Sequence, residues 1–167
     1  MISELEKLAE QVGLQLIERG EMLATAESCT GGWVAQVLTA IAGSSAWFDR
    51  GFVTYSNGAK VDMLGVPETT LARHGAVSEA TARAMAQGAL DHSQAHWALA
   101  ITGIAGPTGG TPEKPVGTVC FAWAWRDGGC EAQNCCFRGG RADVRALAVR
   151  HALHGLLARL QDAGCIA

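Results

Sequence analysis

Apolar residues recur at two spacings along the chain, and each change of spacing marks an element. Leu5, Leu8, Ala9, Val12 and Leu16 share one face at the helical period, which predicts an amphipathic first helix to about Arg19, stopped by Gly20. "EMLATAE" follows as a short strand. Val34, Val37, Leu38 and Ile41 restore the helical period between Gly31 and Ala42, with Gly43 to close it. "RGFVTYS" predicts a second strand, after which Ser56 or Asn57 can cap a helix through Lys60 to Leu64. Pro67 precedes another short helical piece. Ser78 and Glu79 open a helix with Ala82, Met85, Ala86, Ala89 and Leu90 on one face, mostly small side chains that permit close packing on a sheet.

"HWALAIT" is almost continuously apolar, as expected of a strand covered on both faces. Val119, Phe121, Trp123 and Trp125 alternate with Cys120, Ala122 and Ala124, and Asp127-Gly128 offers a hairpin turn into "CEAQNCCF". A last helix from about Arg141 carries Val144, Leu147, Ala148, Leu153, Leu156, Leu157 and Leu160. The expected fold class is α/β: a single-domain, layered α/β/α sandwich with a mixed sheet over residues 1–167, with no internal repeat.

Composition narrows the partners. A chain of 167 residues buries a core without help from disulfides. With 13 basic against 16 acidic residues there is no basic excess for a nucleic acid backbone. "MISELEKLAEQVG" has no secretory apolar core, and no apolar run approaches the roughly 18 residues of a membrane span. The expectation is a cytoplasmic protein with neither membrane nor nucleic acid as partner. The six cysteines (Cys29, Cys120, Cys130, Cys135, Cys136 and Cys165) include no Cys-x-x-Cys and read as reduced thiols.

Three polar clusters fall at strand ends, where open α/β sheets gather ligands: Glu27-Ser28-Cys29-Thr30, Tyr55-Ser56-Asn57 with Lys60, and Thr102 with the glycine loop "GIAGPTGG". A serine at a strand-to-helix turn can be a nucleophile beside backbone donors for an oxyanion, or simply a helix cap, and Thr30 is a second candidate for the cap. Lys60 stands out because a cation in the first turn of a helix meets the positive end of the macrodipole. There the charged form is disfavoured, and partial desolvation would turn the amine into a general base; an exposed, solvated lysine is the other reading. Tyr55, the single tyrosine, can reach the same cleft or serve as an ordinary strand aromatic. The glycine loop lacks both the P-loop lysine and the G-x-G-x-x-G spacing. Cys29 is a rival nucleophile, with His74, His92, His96, His151 and His154 as conceivable partners. "HALH" places two imidazoles near one helix face without a third zinc ligand.

The blocks "TAESCTGGWVAQVLTAIAGSSAWFDRGFVTYSNGAKVDMLGV", "HGAVSEATARAMAQGAL" and "ITGIAGPTGGTPEKPVGTVCFAWA" closely resemble the CinA C-terminal domain family, and within it the stand-alone bacterial nicotinamide-nucleotide amidases. The resemblance implies hydrolysis of nicotinamide mononucleotide to nicotinate mononucleotide and ammonia in pyridine-nucleotide recycling, with no metal or organic cofactor and with a homodimer as the assembly. It implies Ser28 as nucleophile, Lys60 as base and Tyr55 assisting as a proton relay. Glu27, Cys29, Thr30, Gly31, Gly32, Thr102, Gly103 and Gly106 are implied to line the substrate, with Arg141 on its phosphate. Larger members carry a further N-terminal domain, which the position of "TAESCTGG" leaves no room for here. In "FRGGRADVR", Gly140 stands where many relatives have an acidic residue, so Arg138 and Arg145 are alternatives to Arg141. An amidase for another small amide, or a nucleotide-binding module without turnover, would use much of the same site.

Overall fold

The computed structural model describes residues 3–164, and Cys165 lies outside them. Its sheet comprises β1 (Leu23–Glu27), β2 (Phe48–Val53), β3 (Trp97–Gly103), β4 (Thr118–Trp125) and β5 (Gly129–Cys136), in the spatial order β2-β1-β3-β4-β5. β1 pairs in parallel with β2 and β3, whereas β4 pairs antiparallel with both β3 and β5. The mixed sheet is the expected one, and Asp127-Gly128 makes the hairpin between β4 and β5, both residues at positive φ.

Strand alternation sorts the side chains by size. Leu23, Trp97, Leu99, Ile101, Val119, Phe121 and Trp123 pack under α1 (Glu4–Arg19), α2 (Trp33–Thr39) and α6 (Arg141–Gly164). Ala24, Ala26, Ala98, Ala100, Ala122 and Ala124 face the other way, into a second core with α5 (Glu79–Asp91). An alanine surface lets a helix approach closely, so one layer is thick with large side chains and the other is tight. α3 (Asn57–Leu64) and α4 (Glu68–His74) complete the tight layer. Where α3 ends against α5, a Cβ on Gly88 would stand 2.0 Å from the Leu64 carbonyl oxygen.

The caps are mostly those expected. Gly20 ends α1 in the left-handed region, and the Ser56 and Ser78 hydroxyls accept from the Ala59 and Thr81 N–H groups, each at 3.0 Å. Boundaries differ at two elements. α2 runs from Trp33 to Thr39, shorter at both ends than the expected Gly31–Ala42, with Ala40 and not Gly43 as its C-cap, and β2 stops at Val53 instead of running on to Ser56. The Thr54 N–H still reaches the Glu27 carbonyl at 2.8 Å, but the Thr54 carbonyl turns to a side chain rather than to the sheet. Among the described residues no helix is long and apolar enough to cross a membrane.

Candidate active site

The three parallel strands end on one edge of the sheet and bring together the loops after Glu27, Val53 and Gly103. At the end of β1, consecutive residues face opposite layers. Glu27 turns toward α2, where its carboxyl accepts from the Val34 N–H at 2.8 Å, the Ala35 N–H at 3.1 Å and the Thr30 hydroxyl at 2.6 Å. This corrects the expected cap: α2 is capped neither by Ser28 nor by Thr30 but by a buried side chain reaching forward from the strand. Glu27→Ala is therefore expected to cost about 2–4 kcal/mol, since two buried donors and one half-buried donor lose their acceptor; denaturant melts of both proteins measure it.

Ser28 faces the tight layer. Its N–H donates to the Ile101 carbonyl at 2.9 Å, and its hydroxyl lies 3.0 Å from Lys60 Nζ. Gly31 and Gly32, at φ 60° and 98°, allow the chain to reverse behind it, a conformation that side chains resist.

Lys60 is 1% exposed, one of the largest fully buried side chains, which rules out the solvated reading of this lysine. Nζ donates to the Thr54 carbonyl at 2.8 Å and to Ser28 Oγ, and no carboxylate shares the contact. Burial drives its pKa below the ordinary 10.5, against a smaller opposing pull from Cys29. An amine so held gives up its proton more readily than a surface lysine, at hydrogen-bond distance from a hydroxyl.

A cavity of about 230 Å³ opens over this pair, its wall including Ser28, Cys29, Tyr55, Asn57, Lys60, Thr102, Gly103, Gly106, Thr108 and Arg141. Arg141 donates to the Gly106 carbonyl at 2.8 Å and to the Tyr55 hydroxyl at 2.9 Å, holding its guanidinium at the mouth. Tyr55 is thus a rim residue, 60% exposed, bonded to Arg141 and to neither Ser28 nor Lys60, so a relay between those two is absent from this geometry. Thr102 is buried and donates its hydroxyl to the Ala76 carbonyl at 2.8 Å. Arg145, one turn after Arg141, turns to the back of the Ser28–Gly32 turn instead, and Arg138 is not in the cavity wall. Thr30, Gly31 and Gly32 also lie outside the wall, behind the turn they shape.

Asn57 and Thr108 in the wall were not among the expected substrate contacts. Asn57 could have been found, since it precedes Lys60 by three residues on one helix. Cavities of about 570 and 590 Å³ open elsewhere on the molecule, and the second is lined by Cys135, 3.6 Å from His151 Nε2; burial raises that thiol's pKa and lowers that of the imidazole, which disfavours a thiolate there, so chemistry rather than size selects the smaller one.

Cys29 loses its case as the rival nucleophile. Burial pushes its thiol up to about 11, overriding the opposite pulls of its own backbone N–H and of Arg145, and no histidine lines the cavity. Iodoacetamide at about pH 8 should label the exposed Cys136 and spare Cys29, a contrast that peptide mass spectrometry reads directly. Among the described residues no three His, Cys, Asp or Glu side chains gather to hold a metal ion.

Residues 5–160 match the family model for the CinA C-terminal domain. The chain belongs to the CinA C-terminal domain family. Within that family it is 59% identical over 154 residues to the nicotinamide-nucleotide amidohydrolase PncC of Escherichia coli K12, covering 92% of this chain and 93% of that protein. It is 56% identical to a putative competence-damage inducible protein of Symbiobacterium thermophilum, across 90% of this chain but 37% of the longer relative. The crystal structure of the competence/damage inducible protein CihA from Agrobacterium tumefaciens superposes with a TM-score of 0.92 at 51% identity, covering 95% of this chain and 96% of that one. The family match takes in all five strands and every residue of the cavity wall named above.

Proposed function

We propose that the chain hydrolyses the carboxamide of nicotinamide mononucleotide, releasing ammonia and nicotinate mononucleotide, with Ser28 as nucleophile and Lys60 as its base. The similarity to the Escherichia coli amidohydrolase supports the substrate, and the 3.0 Å approach of a buried, carboxylate-free lysine to Ser28 supports the chemistry. Neutral Lys60 donates to the Thr54 carbonyl and turns its lone pair to the Ser28 hydroxyl, reversing the hydrogen bond seen with the ammonium.

As Oγ bonds to the carboxamide carbon, the serine proton moves to Nζ and the carbonyl oxygen becomes an oxyanion. Its candidate donor is the Cys29 N–H. The Ser28 carbonyl is turned toward the Gly31 N–H at 2.9 Å, so the Cys29 N–H of the same trans peptide points the other way, and among the described residues no other residue accepts from it. Collapse breaks the C–N bond, and the Lys60 ammonium gives its proton to the departing nitrogen, which leaves as ammonia. Water then attacks the acyl-serine while Lys60 takes its proton, and that proton returns to Ser28 as the nicotinate product departs.

Arg141 is the proposed phosphate ligand, a reading supported by its place in the cavity wall. Two of its nitrogens are fixed by Gly106 and Tyr55, which leaves a preorganised cation at the mouth, some distance from the reacting carbon. Arg141→Ala should raise KM for nicotinamide mononucleotide about tenfold to a hundredfold, with a smaller change in kcat. Tyr55→Phe, which removes the bond to Arg141, should shift KM in the same direction but less. Initial-rate ammonia assays on both variants test the assignment, and an unchanged KM in Arg141→Ala would remove Arg141 from the phosphate site.

A further inference from the structure

The back of the nucleophile turn is held by a residue that the reaction itself does not use. Arg145 Nε donates to the Cys29 carbonyl at 3.0 Å and Nη2 to the Thr30 carbonyl at 3.2 Å, with the guanidinium 5.5 Å from the Trp33 ring centre. The Thr30 carbonyl also accepts from the Trp33 N–H at 3.0 Å. Three successive carbonyls, those of Ser28, Cys29 and Thr30, are therefore pinned in place, two of them by one side chain from a distant helix.

We infer that Arg145 is a positioning residue for catalysis: it locks the Ser28–Gly32 turn so that the Cys29 N–H, and the developing oxyanion with it, stay in register with Ser28 Oγ. This rests on the proposed serine mechanism and deepens it. A trans peptide carries its N–H opposite its C=O, so the clamp on the Cys29 and Thr30 carbonyls orients the Thr30 and Gly31 N–H groups directly, and the Gly31 N–H in turn holds the Ser28 carbonyl whose peptide carries the Cys29 N–H. The turn needs such a clamp. Gly31 and Gly32 supply the reversal but also the freedom to leave it, and Cys29 and Thr30 belong to no regular element. Arg145 holds the turn from behind, in place before the reaction begins, at no reorganisation cost during it.

Arg141 and Arg145 thus divide the labour although they stand one turn apart on α6. Arg141 opens into the cavity, whereas Arg145 has its bonded nitrogens turned to backbone and is absent from the cavity wall. The sequence alone offers Arg145, like Arg138, as an alternative to Arg141 on the phosphate.

The test compares Arg145→Ala, Arg145→Lys and Arg141→Ala in steady-state hydrolysis of nicotinamide mononucleotide and of its dephosphorylated nucleoside. Arg145→Ala should lower kcat about tenfold to a hundredfold while KM stays within about threefold. Its preference for the phosphorylated over the unphosphorylated substrate should persist, and Arg141→Ala should lose that preference. Arg145→Lys, which keeps the charge but reaches one carbonyl at a time, should fall between wild type and Arg145→Ala.

Phosphonylation of Ser28 by a fluorophosphonate probe, followed by mass spectrometry, gives a readout that does not depend on the natural substrate. Its rate should fall in Arg145→Ala in parallel with kcat. Should wild type prove inert toward nicotinamide mononucleotide while the probe rates still fall, the substrate assignment fails and the positioning role stands. A raised KM with unchanged kcat and lost phosphate preference in Arg145→Ala would make Arg145 a phosphate ligand and overturn the inference. Unchanged probe rates in a folded Arg145→Ala or Arg145→Lys protein would overturn it equally.

Discussion

Ser28→Ala is expected to release ammonia from nicotinamide mononucleotide at least about a thousandfold more slowly than wild type, at every substrate concentration. Removing the hydroxyl removes the covalent route itself. What survives is the rate at which a bound carboxamide meets water beside the turn's free amide and a buried amine, a residual that oxyanion donors and binding alone sustain in serine hydrolases. The fold should tolerate the change, because the Ser28 side chain bonds only to Lys60 and its backbone N–H keeps the Ile101 carbonyl. A stopped-time ammonia assay on protein with an unaltered circular dichroism spectrum measures the loss. Activity within a few-fold of wild type would end the serine mechanism.

Lys60→Met carries the second large effect, a fall of about a hundredfold to ten-thousandfold in kcat, as expected when a general base is lost but the nucleophile remains. Methionine fills much of the same buried space without an amine. This variant should also be more stable than wild type near neutral pH. The folded state holds Lys60 below its ordinary 10.5, and the unfolded chain returns it there, so unfolding takes up a proton in the window between the two values. Stability contributed by this group therefore rises with pH through that window and is least below it, where the fold must bury the charged amine. Replacing the amine removes that penalty. Thermal melts at neutral pH test it, with a higher Tm in Lys60→Met as the expected result and a lower one counting against a strained, buried base.

Much of this site was legible in the chain because it violates local rules. A lysine in the first turn of α3 is badly placed for the helix, and that misfit marked it before any contact was known. Ser28 was visible as a hydroxyl at a strand end, although position alone could not separate a nucleophile from a cap. What removes the cap reading is long-range. The true cap of α2 is Glu27, whose direction depends on strand alternation and on the path of a helix that starts six residues later. Nothing in the spacing of "TAESCTGG" says that its glutamate points into one layer and its serine into the other.

The sheet was legible for a different reason. Alternation in β4 and the small-residue face of α5 are matching halves of one packing problem, and both are periodic. Strand ends were less so: β2 was drawn too far because "TYS" has strand-like residues, yet Thr54 leaves the sheet to hold Lys60. The arginines were the least legible. Arg141 and Arg145 share a helix face, and only the positions of Gly106, Tyr55 and the 28–32 turn around that face assign one to the cavity and the other to the backbone.

The most direct test of the Ser28–Lys60 pair is the pH dependence of kcat/KM for nicotinamide mononucleotide, in wild type and in Lys60→Met. The pair predicts a rate that climbs with pH as Lys60 loses its proton and levels off below pH 10.5, and a residual rate in Lys60→Met from which that limb has gone. A limb that persists unchanged without Lys60, or a wild-type rate that falls as the amine becomes neutral, would contradict it.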